Sequence, residues 1–596
     1  MKQVVPQIYR RLLRLLRWRL WVVEKLRPSP WQEMLAYAAV AGVFGALAAL
    51  IFREGVDFVH LLLTGQGGGM VDTFRGLERW QRLAIPAVGG LVAGLVLLFG
   101  KRLHRGQSST DYMEAILIGS GHLPVRASLV KSTAAMFSIA SGGAIGREGP
   151  LVQLAAVAAS WLGRWRNLSA PELRLLVACG AASGIASAYN APIAGSFFVA
   201  EIILGTIAME SLGPLAVAAV AATLTMRTLS NAHTVYTVPA FTLHSLWEIG
   251  PFLLLGALAG LVAPWFLRSL RAMERLFAAT NLPLPLRLAL GGLAVGILAV
   301  WVPEVCGNGY GIVVKILHGD IIWKTLVLVL VCRWAATAAS FGSGAPGGVF
   351  TPTLFVGAAL GYLFGYGVHA VWPQGAADPR AFALVGMGAL LAAASHAPVM
   401  AIILLFEMTL SYDIILPLML CSVVAYYTAR GIEDQSLYSE ALSKKAAAEP
   451  ETVHLPGVVA DLARRQSSPV TPTARFEVIA QEFLQSRHEE IYVTETAGQY
   501  AGAISLHDIK PHLSDVEVAA HVIAEDLLRE DGPVVAPSAT LADALRVFAQ
   551  HAGQTLPVVE AVTGNLVGVL VKNDLLLALL EGKGAEKRGT QVPWRG

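Results

Sequence analysis

Long apolar runs fill the chain from residue 31 to about 430, and polar breaks interrupt them at intervals. The runs at 31–52 and 85–99 are separated by the glycine-rich polar stretch 65–69. Further apolar stretches follow at 111–118, 126–145, 151–162, 175–189, 193–207, 212–224 and 252–266. The second half repeats the texture at 288–302, 325–339, 349–368, 382–394, 398–410 and 414–427. A helix needs about 20 residues to cross the hydrocarbon core of a bilayer, and several of these stretches are shorter. Gly/Pro breaks lie between them, at 142–150, 190–192 and 342–348. Short, interrupted apolar pieces mark discontinuous helices gathered around a site near the membrane midplane. The breaks around Gly146 and Gly348 fall at corresponding points of the two halves, which predicts an internal repeat, read as inverted.

From about residue 449 the pattern changes: charges become frequent and long apolar runs end. Alternation predicts strands at 491–494, 503–505, 556–559 and 566–571, with helices at 476–486 and 540–552. The order repeats, giving two similar α/β units at about 455–515 and 520–582. The expected fold class is therefore a mostly α polytopic membrane protein with inverted repeats of broken transmembrane helices, plus a C-terminal α/β domain. Its divisions are 1–30, 31–445 and 446–596.

Composition agrees: 55% of residues are hydrophobic and 15% charged, against about 25% charged in soluble domains. The net charge of +3 says little, but its placement says more. Arg10, Arg11, Arg14, Arg17, Arg19, Lys25 and Arg27 are interleaved with Leu, Trp and Val, as in a basic amphipathic helix on a cytoplasmic membrane surface. The segment is too charged for a signal peptide, and nucleic-acid binding is a poor second reading. Both termini are then expected on the cytoplasmic side of a bacterial inner membrane. Cys179, Cys306, Cys332 and Cys421 are single and far apart, with no metal or disulfide spacing.

The stretch Gly142-Gly143-Ala144-Ile145-Gly146-Arg147-Glu148-Gly149-Pro150 carries the candidate chemistry. Ionisable groups at membrane depth are costly, and irregular backbone survives there only inside protein or along a polar cavity. Pro150 suits the first turn of a new helix, which sets Glu148 beside free N–H groups and a positive dipole end. Such a pocket attracts anions, and Glu148 is itself an anion that another can displace. The competing reading is a tight turn with a structural Arg147–Glu148 pair.

Here the sequence resembles the CLC family of chloride channels and chloride/proton antiporters, over roughly residues 30–445. Gly146-Arg147-Glu148-Gly149-Pro150 is similar to the family's GREGP segment, and Gly348-Val349-Phe350-Thr351-Pro352 to its GxFxP segment. Tyr438 stands where the family has a central tyrosine, and Lys131 at its basic position upstream of the gate. The tail resembles a pair of CBS domains: Gly502-Ala503-Ile504-Ser505-Leu506-His507-Asp508 fits the adenosine-site pattern GxxSxxD. The second copy keeps Gly568 and Asp574 but has Val571 at the hydroxyl position. The resemblance implies a homodimer in lipid, with one chloride pathway per subunit and no required cofactor. It makes Glu148 the gate, Arg147 and Lys131 the gate's environment, and Val349, Phe350 and Tyr438 anion contacts. It also implies an adenine-nucleotide site at Ser505, Asp508 and Asp574, or a purely structural dimerisation module. Tyr438 as an ordinary interfacial tyrosine remains the alternative.

Two departures bear on mechanism. The family's first anion segment reads GSGIP; the matching stretch is Gly106-Gln107-Ser108-Ser109-Thr110, which puts Gln107, or Ser108 after a shift, on the ion. An amide N–H₂ donates as a hydroxyl does, with consequences for size selectivity. Pro150 argues against the fluoride branch. The inner proton-transfer glutamate of many antiporters falls on Ile202, which carries no proton. This favours a voltage- or pH-gated channel, with antiport as the runner-up. Glu201 and Glu407 are read as structural acceptors of helix-end N–H groups. An intramembrane serine protease built on Ser183 and His396 and a CBS-regulated divalent-cation transporter are remote alternatives. The protein is not expected to be an enzyme, and no metal site is expected.

Overall fold

The computed structural model describes residues 30–103, 111–117, 119–230, 246–373, 377–438, 458–464, 470–485, 490–495, 498–509, 521–529, 532–550, 553–575 and 578. The basic N-terminal helix and the residues Gln107 and Ser108 lie outside them. The chain divides into two units, Met1–Lys445 and Ala446–Gly596.

In the first half of the larger unit the helices are α1 (Pro30–Thr64), α2 (Met70–Gly76), α3 (Arg79–Leu103), α4 (Tyr112–Leu117), α5 (Val125–Ala140), α6 (Glu148–Trp165), α7 (Ala170–Tyr189), α8 (Pro192–Phe197) and α9 (Met209–Ser230). The second half runs α10 (Ile249–Ala279), α11 (Leu284–Trp301), α12 (Tyr310–His318), α13 (Trp323–Gly342), α14 (Phe350–Val371), α15 (Pro379–Ser395), α16 (Pro398–Thr409) and α17 (Ile415–Arg430). Among the described residues, 7 helices are long and apolar enough to cross a membrane, and shorter apolar helices lie between them. Helix α1 runs well past the apolar stretch 31–52. Arg53, Glu54 and Asp57 end the hydropathy window but not the helix, because Phe52, Val56 and His60 continue a buried stripe at i, i+4 and i+8.

Several features of one half recur in the other, and they show where the halves touch. The backbones of Gly146 and Gly348 pair antiparallel, each donating its N–H to the other's carbonyl at 2.6 and 2.8 Å. Helices α3 and α11 lie against each other with their backbones close: a Cβ at Gly94 would meet Pro285 Cα, and one at Gly296 would meet the Leu83 carbonyl. Small residues permit this approach, which supplies the packing that water exclusion cannot supply in lipid. Asn190 and His396 both take left-handed backbone at φ 54° and 57°, each before an Ala-Pro step that starts a short helix. The symmetry is imperfect. Residues Phe198–Ile203 after α8 form a π-turn, whereas α16 continues as a regular α-helix.

One buried charge escaped the sequence reading. Arg333 on α13 is fully buried; it donates to the carbonyls of Glu304 at 2.8 Å and Gly307 at 2.6 Å, and its guanidinium lies 5.1 Å from the centre of the Phe355 ring.

In the smaller unit, α18 (Phe476–Gln485), strands β1 (Glu490–Thr494) and β2 (Tyr500–Ser505) and the short α19 (Leu506–Ile509) form one layer. Helix α20 (Leu541–Gln550) and strands β3 (Thr555–Val559) and β4 (Leu566–Val571) form its counterpart. Each strand pair is an antiparallel hairpin. The lead-in segments are exchanged: Arg464 pairs with Val569 of the second repeat, while Arg529 pairs with Ala503 of the first. Each repeat therefore completes the other's apolar core.

Candidate functional site

The gate segment begins where α5 ends at Ala140. Gly142 takes φ +97°, and a Cβ there would sit 2.7 Å from Phe74 Cζ, so this turn requires glycine. The loop's backbone is paired despite lacking regular structure. Gly307 N–H donates to Gly142 O at 3.1 Å, and Ala144 N–H donates to Ser340 Oγ at 3.2 Å. After the crossing with Gly348 the chain enters α6 at Glu148, with Pro150 in the first turn. The matching strand in the second half enters α14 at Phe350. Two helix N-termini thus begin beside one crossing point, and their free N–H groups make the place favourable for an anion.

Glu148 is 5% exposed. Its Oε1 accepts hydrogen bonds from the Tyr189 hydroxyl at 2.8 Å and from the Thr351 hydroxyl. Those two hydroxyl oxygens are 3.1 Å apart. Oε2 is buried without a hydrogen-bond partner among the described residues and rests against Gly146 and Gly348. A Cβ on Gly348 would lie 3.1 Å from Oε2, and one on Gly146 would lie 2.9 Å from the carboxyl carbon and nearer still to Oε2. The carboxylate is bonded by hydroxyls, and no ion pair to Arg147 forms among the described residues.

A cavity of 350 Å³ opens beside the carboxylate, lined among others by Lys131, Gln153, Gly348, Val349, Phe350 and Tyr438. The Tyr438 ring meets Phe198 edge-on at 5.7 Å, Phe198 meets Phe350 at 6.4 Å, and Phe350 meets Tyr189 at 5.4 Å. An aromatic chain therefore runs from Tyr438 to a hydroxyl on the gate. Leu437 N–H donates to Ala394 O at 3.0 Å, which anchors the segment carrying Tyr438. Buried Gln153 accepts from Tyr112 N–H at 3.1 Å and donates to Ser128 Oγ at 2.9 Å, so its amide is spent on structure.

Glu201 and Glu407 cap each other's helices. Glu201 accepts from the N–H groups of Val399 and Met400 at 3.2 and 2.6 Å, at the start of α16. Glu407 accepts from Ile193 and Ala194 at 3.0 and 2.7 Å, at the start of α8. Ile202 packs half-buried against the apolar core. Ser183 is fully buried and donates to Gly180 O at 2.6 Å, as a helix-packing residue does.

In the tail, Asp508 accepts from Ser505 N–H at 3.2 Å and pairs with Arg529. Asp574 pairs with Arg464 at 2.6 Å. Each acidic residue at the end of a hairpin thus meets an arginine of an exchanged lead-in segment. Tyr492 donates to Thr555 Oγ1 at 2.9 Å across the repeats.

Tyr189, Thr351 and Phe198 were not singled out from sequence. Their only signal is position: Tyr189 precedes the Asn190-Ala191-Pro192 break, and Thr351 sits within the second glycine segment.

Residues 88–430 match the family model for the voltage gated chloride channel, and residues 524–581 match the CBS domain. The chain is 51% identical over 427 residues to a ClcB-like chloride channel protein of Ralstonia nicotianae, covering 71% of this chain and 99% of that one. It is 39% identical over 414 residues to the voltage-gated ClC-type chloride channel ClcB of Escherichia coli, covering 69% and 99%. Among solved structures it resembles a slow cyanobacterial Cl⁻/H⁺ antiporter, with 25% identity and a TM-score of 0.62 over 71% of this chain and 99% of that one. A eukaryotic CLC transporter shares the fold at 18% identity and a TM-score of 0.56, over 91% and 97%.

Proposed function

The chain belongs to the voltage-gated chloride channel family, and on that premise we propose that it passes chloride through a pathway gated by Glu148. It is an integral membrane anion transporter with a CBS-containing tail. The observation that carries the gate reading is the buried Glu148 carboxylate at the crossing of Gly146 and Gly348, beside the first turns of α6 and α14. Partial positive charge on helix N–H groups attracts a halide without trapping it as a full cation would. The ionised carboxylate occupies the place an anion would take. Protonation, or displacement by chloride, frees it.

Ile202 at the inner proton position supports passive or loosely coupled permeation, since nothing there carries a proton. The relatives in Ralstonia nicotianae and Escherichia coli are both described as chloride channels. The second reading is chloride/proton antiport, favoured by the cyanobacterial antiporter at 25% identity. Within the same proposal the protein is a homodimer in a bacterial inner membrane with both termini cytoplasmic. Adenine nucleotide binds the tail at Ser505 and Asp508, displacing Arg529 from the carboxylate.

The zero-current voltage of purified protein in liposomes separates the two readings. A voltage that follows the chloride gradient and ignores an opposing pH gradient marks a channel; a shift with the pH gradient marks antiport. Glu148→Ala is expected to make anion flux largely independent of pH, and unchanged pH dependence would remove Glu148 from the gate.

A further inference from the structure

Two hydroxyls from opposite halves of the chain converge on one oxygen of Glu148. Tyr189 closes α7 in the first half, and Thr351 sits in the first turn of α14 in the second. Both donate to Oε1, and their own oxygens are 3.1 Å apart. A hydroxyl both donates and accepts, and its proton turns freely. When the carboxylate leaves, the two hydroxyls can therefore bond to each other without moving.

We propose that the Tyr189 and Thr351 hydroxyls form a latch that holds the Glu148 carboxylate in its blocking position. The proposal rests on the gate reading above. Hydrogen bonds donated to a carboxylate favour its ionised form over its protonated one. To leave its position the carboxylate must give up both bonds to Oε1. The latch thus resists opening by protons and by displacement alike. It lies where α7 and α14 meet, so it closes only when the two halves are correctly paired.

Other charged and titratable groups face the same place. Lys131 on α5, Asp111 and Tyr112 at the start of α4, and Tyr438 line the cavity with Glu148. Arg147 precedes Glu148 on its own element. None of these changes when a hydroxyl is removed, so hydroxyl variants isolate the latch from the local field. Tyr189→Phe keeps the ring that packs 5.4 Å from the Phe350 ring and deletes the hydroxyl.

The test is chloride efflux from liposomes as a function of pH, for the full-length chain and its variants. Tyr189→Phe and Thr351→Val are each expected to raise efflux at neutral pH about tenfold, the loss of one hydrogen bond to a charged group, and so to move the midpoint of acid activation upward. Thr351→Ser restores the hydroxyl and with it the wild-type midpoint. The double variant Tyr189→Phe with Thr351→Val shifts by less than the sum, because both donors serve one oxygen and touch each other. A purely structural role would lower flux at every pH and leave the midpoint in place. If Tyr189→Phe fails to reconstitute, the Thr351→Val and Thr351→Ser pair decides alone.

Glu148→Gln separates the gate from the latch. Flat pH dependence in Glu148→Gln, with wild-type midpoints in both hydroxyl variants, overturns the latch and leaves the gate standing. Persistent pH dependence in Glu148→Gln overturns the gate and the latch together.

Discussion

Replacing Gly146 with alanine should unseat the gate without touching its chemistry. The added methyl carbon would lie 2.9 Å from the Glu148 carboxyl carbon and closer to Oε2, well inside van der Waals contact. Gly146 cannot retreat, because it exchanges backbone hydrogen bonds of 2.6 and 2.8 Å with Gly348. The carboxylate must therefore swing away and give up its bonds from Tyr189 and Thr351. A hydrogen bond to a charged group is worth roughly 1.5–3 kcal/mol, so losing two shifts the closed-to-open ratio by about a hundredfold or more. Chloride efflux from liposomes at neutral and acidic pH reads this directly. Gly146→Ala is expected to conduct at neutral pH nearly as fast as at acidic pH. Gly149→Ala is the control, because a Cβ there would meet its nearest neighbour at 3.7 Å, an ordinary contact. If Gly146→Ala keeps the wild-type pH dependence, the carboxylate is not seated against Gly146.

The reciprocal helix caps should be equivalent: Glu201→Ala and Glu407→Ala each leave two N–H groups without their acceptor and cost roughly 1.5–3 kcal/mol of stability per bond, read as similar drops in the thermal midpoint in detergent, while the Gln variants keep one acceptor oxygen and lose less. Equal, negligible effects of Ala and Gln would count against a capping role. Arg333→Met leaves the carbonyls of Glu304 and Gly307 without their Arg333 donor, at a cost of roughly 1–3 kcal/mol each, and detergent melting should show it as a large drop in stability. In the tail, burial first and Glu490 second push the Tyr500 phenol up to about 12. The folded phenol thus keeps its proton longer than the unfolded one, whose value is about 10. Its stabilising contribution is intact below pH ~10 and fades as the pH rises towards ~12. Tyrosinate absorbance of the full-length protein should show late ionisation accompanying loss of tail structure, with a shallower loss in Tyr500→Phe; ionisation at the ordinary tyrosine value would refute this.

The sequence alone determined the broad plan. Apolar runs cut by clusters of Gly and Pro at matching points specify broken helices, because such a cluster frees several backbone groups at once and these must be satisfied inside protein. The shift to frequent charge and period-two alternation after residue 449 specifies a separate α/β tail. Glu148 stood out because an acid between helix-breaking residues in an apolar chain demands a polar setting. Glu201 and Glu407 could be read as N–H acceptors, but not which helices they serve.

Tertiary structure decided the rest, and in each case the reason is a contact between residues far apart in the chain. Gly146 and Gly348 form one crossing only because the fold brings the two halves' glycine segments against each other. Glu201 and Glu407 cap each other's helices for the same reason. Arg333 reads as an ordinary interruption of an apolar run until the fold surrounds it with carbonyls. Tyr189 and Thr351, 162 positions apart, carry no pattern that links them. Local periodicity records which face of an element is apolar; it holds no record of which hydroxyl, brought from the other half of the chain, will point at a given carboxylate.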